Sequence, residues 1–176
     1  MPPEIGRFTA FGQMVYKLPT TITLLCFSVN TAADNEAEIE EIHNAVSNYY
    51  YGFSNFNPTK IANELYSAPF SVVAEDGNHT VLHTTEEVAD FITNFLSNLR
   101  ANQWHYSDMP TYEICILGPN IAFVSGTYIR YKADGEEIGR SGSTYLYQKK
   151  PEGWRILSII NKKQNVSIQC QYDSNY

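Results

Sequence analysis

Residues 112–161 read YEICILGPNIAFVSGTYIRYKADGEEIGRSGSTYLYQKKPEGWRILSIIN, and this stretch decides the fold. Short runs rich in Ile, Val, Tyr and Phe are separated by Gly-Pro-Asn, Ala-Asp-Gly and Lys-Pro-Glu-Gly. Runs of β-branched and aromatic residues broken by such turn sequences are typical of antiparallel strands. The stretch therefore predicts a meander of about four strands, namely Tyr112–Leu117, Asn120–Tyr131, Ser141–Gln148 and Trp154–Asn161.

Two helices are predicted in the first part of the chain. From Asp34 onwards, apolar residues recur at three- and four-residue steps, which gives one buried helical face. Asn57 and the proline after it have the residue types of a helix cap and a first helical position. A second, short helix is therefore predicted over Pro58–Leu65.

A hairpin and a third helix are predicted between these two helices and the meander. The runs Pro69–Glu75 and Thr80–His83 flank Asp-Gly-Asn, which is a turn sequence. Thr84 and Glu87 then have the spacing of a capping box, so a third helix is predicted from there to about Asn102.

This order of elements predicts an α+β fold. Three N-terminal helices are expected to pack on a strongly curved, mostly antiparallel sheet that encloses a pocket. At 176 residues a single domain is the default. We expect an N-terminal extension over residues 1–33, the folded domain over 34–165 and a polar C-terminal tail over 166–176.

The charge and the cysteines argue against several classes of partner. The formal net charge is −7 and the basic residues are scattered, so nucleic acid is not an expected partner. No stretch approaches the roughly 18 apolar residues of a membrane span, so the mature form is not expected in a membrane. Cys26, Cys115 and Cys170 lack the spacing of a metal site, and no metal is expected. Cys115 is expected to be a small core residue, and a disulfide between Cys170 and either of the other two cysteines is left open.

The N-terminal extension has two interpretations. Lys17 is followed by LPTTITLLCFSV and then NTAA, a pattern similar to the charged, apolar and small-residue regions of a signal peptide. A signal cleaved from residues 14–33 would make the protein secreted or periplasmic. An N-terminal arm that stays attached would leave it cytoplasmic.

Three pieces of the sequence carry a resemblance to a known family: EIEEIHNAVSNYYYGF at 38–53, HTTEEVADFI at 83–92 and GSTYLYQKKPEGWRILSII at 142–160. Their order resembles the nuclear-transport-factor-two-like (NTF2-like) cone fold, and YIRYKADGEEIGRSGSTYLY is similar to its SnoaL-like branch. The resemblance implies a cone-shaped barrel with an apolar pocket. It also implies a homodimer formed through the exposed face of the sheet.

The same resemblance implies two classes of function. One is a cofactor-free isomerase, cyclase, dehydratase or hydrolase that acts by acid–base chemistry on an apolar, carbonyl-bearing substrate. The other is a ligand-binding or dimerisation module without catalysis, because many unrelated functions occur on this fold. The predicted strands contain Glu113 and no other acidic residue, so the carboxylates of the enzymatic members have no evident counterpart.

Polar residues at alternate positions of the meander are the first candidate site. Tyr128 and Arg130 alternate on one predicted strand, and Ser143 and Tyr145 alternate on the next. They are expected to face the pocket together with Tyr50 and Phe53 of the first helix, with Tyr128 and Arg130 in catalytic roles and the other four residues binding the ligand. Arg130 would anchor a carboxylate or an enolate through its planar guanidinium. In the alternative, Arg130 and Arg140 lie on the outer face or the rim and pair with Glu136, with Glu137 or with solvent.

Residues just after the third helix form a second candidate cluster. His105 with Asp108 could act as a base and its orienting partner, and Trp104 would line the mouth of the pocket. In the alternative, His105 and Asp108 are a solvated surface pair. His43 lies beside the apolar face of the first helix and either enters the pocket or bonds to backbone or water.

Overall fold

The computed structural model describes residues 31–166 and 168–170, with side chains from residue 36 onwards. The elements in chain order are the helices α1 (Thr31–Asn55) and α2 (Pro58–Leu65), the strands β1 (Tyr66–Val73) and β2 (His79–Leu82), the helix α3 (Thr85–Ala101), and the strands β3 (Tyr106–Gly118), β4 (Ile121–Tyr131), β5 (Glu137–Lys150) and β6 (Gly153–Lys162). The predicted signal sequence and Cys26 lie outside the described residues.

Both predicted helix caps are present. The side chain of Asn57 accepts a hydrogen bond from the backbone N–H of Lys60 at 2.8 Å. Thr84 Oγ1 accepts from the N–H of Glu87 at 3.2 Å, and the Glu87 carboxylate accepts from the N–H of His83 at 2.6 Å. These bonds satisfy backbone donors that the first turn of each helix leaves free, and they fix where α2 and α3 begin.

The six strands form one open sheet in the order β2-β1-β6-β5-β4-β3. Only the β1–β6 pair is parallel; the other neighbouring pairs are antiparallel. The predicted α+β class, with three helices on a mostly antiparallel sheet, is confirmed. The sheet does not close into a barrel, since β2 and β3 are its two edges among the described residues.

β3 begins at Tyr106, close to Trp104, near which the meander was expected to start, and ahead of the first predicted core strand at Tyr112. Tyr106 already pairs with Tyr131 of β4. Their rings stack with centroids 4.8 Å apart. The register shifts between Asp108 and Thr111, around Pro110. A proline is tolerated here because β3 is an edge strand and its outer side needs no donor.

Side chains alternate between the two faces of the sheet. The inner face packs against the helices; Ala122 and Val124 belong to this core and are fully buried. The outer face is opposite and carries Phe123 and Ser125 from the same strand. In β3, Ile114 and Ile116 pack on the core, so Cys115 between them lies on the outer face.

The chain after β6 returns across the outer face. We call residues 163–166 and 168–170 the C-terminal segment. Thr127 Oγ1 donates to the carbonyl of Gln164 at 2.9 Å, and Cys170 forms a disulfide with Cys115. Cys115 is buried, as predicted for it, but as half of a disulfide on the outer face rather than as a core thiol. The residues expected to form a polar tail are therefore tied to the sheet as far as Cys170.

Candidate ligand-binding cavity

A cavity lies between the helices and the inner face of the sheet. It encloses about 670 Å³ of atom-free space, its mouth included. About 110 Å³ of it can be occupied by water-sized molecules, which is less than the roughly 300–1,000 Å³ of most small-molecule sites. The lining is mostly aromatic and aliphatic: Tyr49, Tyr50, Phe53, Tyr66, Val72, Phe91, Ile92, Phe95, Leu99, Ser107, Tyr128, Arg130, Ser143, Tyr145, Ile159 and Asn161.

Among the residues that the structure describes, Arg130 is the only charged one in this lining. Its guanidinium donates to the hydroxyl of Tyr128 at 3.1 Å and lies 5.0 Å from the centroid of that ring. It also lies 5.6 Å from the ring centroid of Phe95, which holds the guanidinium by cation–π attraction. Within the described chain it makes no ion pair with a carboxylate.

The neighbouring charged residues argue against the alternative in which Arg130 pairs with acidic residues on the rim. Arg140 is the arginine that pairs with Glu137, through two hydrogen bonds of 2.7 and 2.5 Å. Glu136 pairs with Lys132 at 2.7 Å. The acids of the β4–β5 turn are thus already engaged, and Arg130 keeps donors available for a ligand.

Four buried tyrosine hydroxyls lie at the cavity wall and bond in two pairs; we call this group the tyrosine chain. Tyr66 donates to the hydroxyl of Tyr49 at 3.3 Å. The hydroxyls of Tyr50 and Tyr145 are 2.8 Å apart, and either can be the donor. The ring centroids of Tyr49 and Tyr145 are 5.4 Å apart, which brings the two pairs together. Tyr49 accepts from Tyr66 and keeps its own proton free to donate, and accepting a hydrogen bond strengthens a donor.

Burial keeps these phenols neutral. It raises the pKa of Tyr49 to about 12, against the hydrogen bond from Tyr66 and the positive charge of Arg130. Burial also raises the pKa values of Tyr50, Tyr66 and Tyr145 well above their ordinary value. At neutral pH the cluster therefore consists of hydrogen-bond donors that carry no charge.

Two further polar pairs complete the lining. Ser143 donates to Oδ1 of Asn161 at 3.1 Å, which leaves the side-chain NH₂ of Asn161 to point donors at the cavity. Trp104 donates through Nε1 to Oγ of Ser107 at 2.8 Å. The cavity thus offers many donors, and no Asp, Glu or His lines it within the described residues.

The structure brings six of the predicted site residues together in this cavity. They come from α1, β4 and β5: Tyr50, Phe53, Tyr128, Arg130, Ser143 and Tyr145. Trp104 is buried behind the lining and contacts the site through Ser107 rather than at the mouth. Their roles in binding or catalysis stay predictions.

His105 and Asp108 do not line the cavity, and they form no hydrogen-bonded pair. Both side chains are exposed, and Oδ1 of Asp108 accepts from the backbone N–H of Met109 at 2.8 Å. Asp108 lies in an open groove between α1 and β3. The prediction of a base with its orienting partner assumed a loop here, whereas alternation along β3 separates the two side chains.

His43 is also on the α1–β3 side of the molecule. Its Nδ1 is 2.7 Å from the hydroxyl of Tyr112, and its side chain is exposed. Burial and the charge of Asp108 raise the pKa of Tyr112. His43 therefore bonds to a side chain outside the cavity, which neither of its two interpretations anticipated.

Sequence reasoning missed four polar residues of the lining. Tyr49 and Tyr66 provide hydroxyls, while Ser107 and Asn161 provide an alcohol and an amide. Tyr49 lies on the apolar face of the first helix, and that face is also the cavity wall. For Asn161 the signal was available, since it follows Ile159 by two residues on the same face of a predicted strand.

The described part of the chain contains no group of three or more His, Cys, Asp or Glu side chains that could hold a metal ion. None of its helices is both long and apolar enough to span a membrane.

Comparison with known proteins gives the same fold. The family described as NTF2-like protein (DUF6841) matches residues 38–164. No curated protein matches the sequence. An NTF2-like protein with a cystatin-like fold from Novosphingobium aromaticivorans superposes with a TM-score of 0.60 at 13% identity, over 80% of this chain and 94% of that one. An NTF2-like protein from Shewanella oneidensis gives 0.56 at 12% identity, over 72% and 99%. At such identities the likeness shows the fold alone.

Proposed function

The chain belongs to the NTF2-like family DUF6841, and on that premise we propose that its cavity binds an apolar small molecule that carries an anionic oxygen. The anionic group is a carboxylate, an enolate or a phenolate. The observation that carries the proposal is Arg130, which sits in an aromatic cavity with no carboxylate beside it. The SnoaL-like branch stays a prediction.

The many hydrogen-bond donors of the lining favour an anionic ligand over a cationic one. The chain has 19 acidic and 12 basic residues, yet none of the described acids lines the cavity. An oxygen placed between Arg130 and Tyr49 would accept from a charged and a neutral donor at once. Hydrogen bonds to a charged group each contribute about 1.5–3 kcal/mol, so they outweigh the neutral contacts in selecting the ligand.

The same arrangement supports a catalytic version of the function. Arg130 and Tyr49 would stabilise the oxyanion that forms when a carbonyl-bearing substrate enolises, which is the electrophilic half of acid–base catalysis. Isomerases, cyclases, dehydratases and hydrolases of carbonyl compounds use such a step. The lining described above supplies no carboxylate or imidazole as base, so binding is the function that the geometry supports best.

A matched pair of probes tests the proposal. 2-Naphthoate and 2-naphthamide have nearly the same shape and differ in charge. Isothermal titration calorimetry should show at least about 10-fold tighter binding of naphthoate, and Arg130→Gln should remove this preference. Arg140→Gln removes a positive charge outside the cavity and should leave the preference intact. Equal affinities for the two probes in the unaltered protein would overturn the proposal.

The outer face supports a second candidate function, self-association. Six of the large apolar side chains that are exposed in the described structure lie on the outer face or on the C-terminal segment: Val81, Leu117, Ile121, Ile160, Val166 and Ile168. Apolar residues grouped on one face are typical of interaction surfaces. A second copy of the chain is the partner proposed, and Ile160→Lys should weaken the dimer in sedimentation velocity. A monomer at every concentration would contradict this candidate.

A further inference from the structure

We propose that the ligand of the cavity is a carboxylic acid with an acylamino group on the carbon next to its carboxylate, as in an N-acyl amino acid. The inference rests on the anion site proposed above. It concerns a groove outside the cavity, between the end of α3 and the start of β5, which we call the α3–β5 groove. Its lining includes Leu99, Asn102, Tyr128, Arg130, Ile138 and Ser141.

The cavity and the α3–β5 groove meet at Tyr128 and Arg130. Both residues line both spaces. The guanidinium of Arg130 donates to the hydroxyl of Tyr128 at 3.1 Å, so this phenol keeps its own proton for another acceptor. One oxygen of a bound carboxylate can accept from Tyr49, as proposed above, and the other from Tyr128. The carboxylate then lies at the junction, with the cavity on one side and the groove on the other.

The cavity leaves little room for a large ligand. Of its 670 Å³, about 110 Å³ can be occupied by water-sized molecules. The corresponding volumes of the α3–β5 groove are about 760 and 390 Å³, its open side included. An apolar ring that fills the cavity therefore leaves the rest of a larger ligand outside, and the groove is the space that continues from Arg130.

The polar groups of the groove suit an amide. Ser141 lies opposite Tyr128 in the β4–β5 pair, and within the described residues its hydroxyl makes no hydrogen bond. Asn102 donates a side-chain N–H to the carbonyl of Asn98 at 2.8 Å, which leaves its Oδ1 to accept. An acylamino group has one N–H and one carbonyl, so it matches the oxygen of Asn102 and the hydroxyl of Ser141.

A neutral branch fits the groove better than a charged one. Arg140 belongs to the lining, but its guanidinium already donates to Glu137 through two hydrogen bonds of 2.7 and 2.5 Å. A second carboxylate on the ligand would therefore gain little from this charge. A cationic branch would find no carboxylate, because none of the described acidic residues lines the groove.

The open groove between α1 and β3 also borders the cavity but fits this ligand less well. It shares Tyr50 and Ser107 with the cavity, and Arg130 is not part of its lining. It contains Asp108, and the negative charge of that carboxylate would repel an anionic ligand. The branch is therefore assigned to the α3–β5 groove, which begins at the group that binds the carboxylate.

The test compares N-acetyl-3-(2-naphthyl)alanine with 3-(2-naphthyl)propanoate, which lacks the acetamido branch and is otherwise the same. In isothermal titration calorimetry, the better enantiomer of the branched probe should bind at least about 5-fold more tightly. Ser141→Ala and Asn102→Ala should each reduce this advantage and leave the affinity for the unbranched probe unchanged, which shows that the variants are folded. Ser97→Ala alters an exposed serine outside both spaces and should change neither affinity.

An NMR contact locates the branch. Ile138 lines the α3–β5 groove and not the cavity. The acetyl methyl group of the bound probe should therefore show a nuclear Overhauser effect to the methyl groups of Ile138. Tighter binding of the branched probe without this contact would overturn the groove as the place of the branch.

The failures of the two proposals are distinguishable. If 3-(2-naphthyl)propanoate does not bind, or binds equally well to Arg130→Gln, the anion site itself is wrong. If it binds through Arg130 but neither enantiomer of the branched probe binds more tightly, the anion site stands and the acylamino branch is overturned.

Discussion

The two faces of the sheet differ in chemistry although they are built from the same strands. Ser143 and Thr144 are neighbours in β5, and each is 1% exposed. Ser143 donates to Asn161 in the cavity, whereas Thr144 bonds to Ser125 on the outer face. The inner face collects aromatic rings, donors and one arginine, and the outer face collects aliphatic side chains and a disulfide. Alternation along a strand thus lets one sheet carry two separate surfaces.

Removing the disulfide should lower the stability of the protein most, and this bridge lies on the outer face. The bridge joins residues 55 positions apart, and the chain-entropy model gives about 4 kcal/mol for a loop of that size. Cys170→Ser should lower the free energy of unfolding by about this amount in urea titrations. Naphthoate affinity under folding conditions should not change. Loss of naphthoate binding in the folded variant would show that the two faces are coupled.

High pH should instead destabilise the protein through the buried tyrosines of the inner face. The pKa of Tyr49 is about 12 in the folded protein and about 10 in the unfolded chain. Its contribution to the free energy of unfolding is therefore complete below pH 10 and is lost as the pH rises towards 12. Over those two units the loss is roughly 3 kcal/mol for Tyr49 alone. Urea titrations at pH 9, 10 and 11 should show this decline. Tyr49→Phe should have a shallower decline, and Tyr51→Phe, which alters an exposed tyrosine, should match the unaltered protein.

Two glycines allow the faces to be perturbed separately. A Cβ on Gly126 would lie 2.5 Å from the carbonyl oxygen of Thr111 and 2.8 Å from Sδ of Met109, a core residue. A Cβ on Gly142 would lie 2.6 Å from the carbonyl oxygen of Lys163, at the start of the C-terminal segment. Overpacking of this kind costs about 1–3 kcal/mol, so both alanine variants should be destabilised.

The two alanine variants should differ in function. Gly126→Ala should weaken naphthoate binding, and Gly142→Ala should weaken dimerisation while naphthoate still binds. Calorimetry and sedimentation velocity on the same preparations measure both properties. If each variant impaired both properties equally, the separation of the two faces would be wrong.

The smallest expected effect lies within the tyrosine chain. Tyr49→Phe removes the phenol that accepts from Tyr66 and should weaken naphthoate binding about 10-fold, which corresponds to about 1.4 kcal/mol. Tyr66→Phe removes only a donor to Tyr49, so its effect should be severalfold smaller. Calorimetric titrations of the two variants give the comparison. A larger loss for Tyr66→Phe would contradict the assigned direction of the chain.

Much of the fold could be predicted from local patterns. The caps at Asn57 and Thr84 and the apolar periodicity of the helices are local signals, and all three helices were predicted. The meander was expected to start near Trp104, but its first core strand was placed at Tyr112–Leu117, because Pro110 and the polar residues around Asp108 resemble a loop. The segment is a strand because it pairs with β4 and Tyr106 stacks on Tyr131, and neither contact is visible in a short stretch of sequence.

The site was predictable where it depends on alternation alone. Tyr128, Arg130, Ser143 and Tyr145 followed from the period of two along predicted strands. The tyrosine chain could not be predicted, since the hydroxyls of Tyr49 and Tyr66 meet only after α1 packs against β1. The Cys115–Cys170 pairing also depends on the path of the chain after β6, for which the sequence offers no local signal.

The most direct test of the anion site is an NMR titration that observes the arginine side-chain Nε–Hε resonances. Addition of 2-naphthoate should shift the resonance of Arg130 and leave that of Arg140 unchanged, because Arg140 is outside the cavity and already pairs with Glu137. 2-Naphthamide at the same occupancy should shift Arg130 much less. Naphthoate that binds without shifting the Arg130 resonance would contradict the proposal that this guanidinium receives the anion.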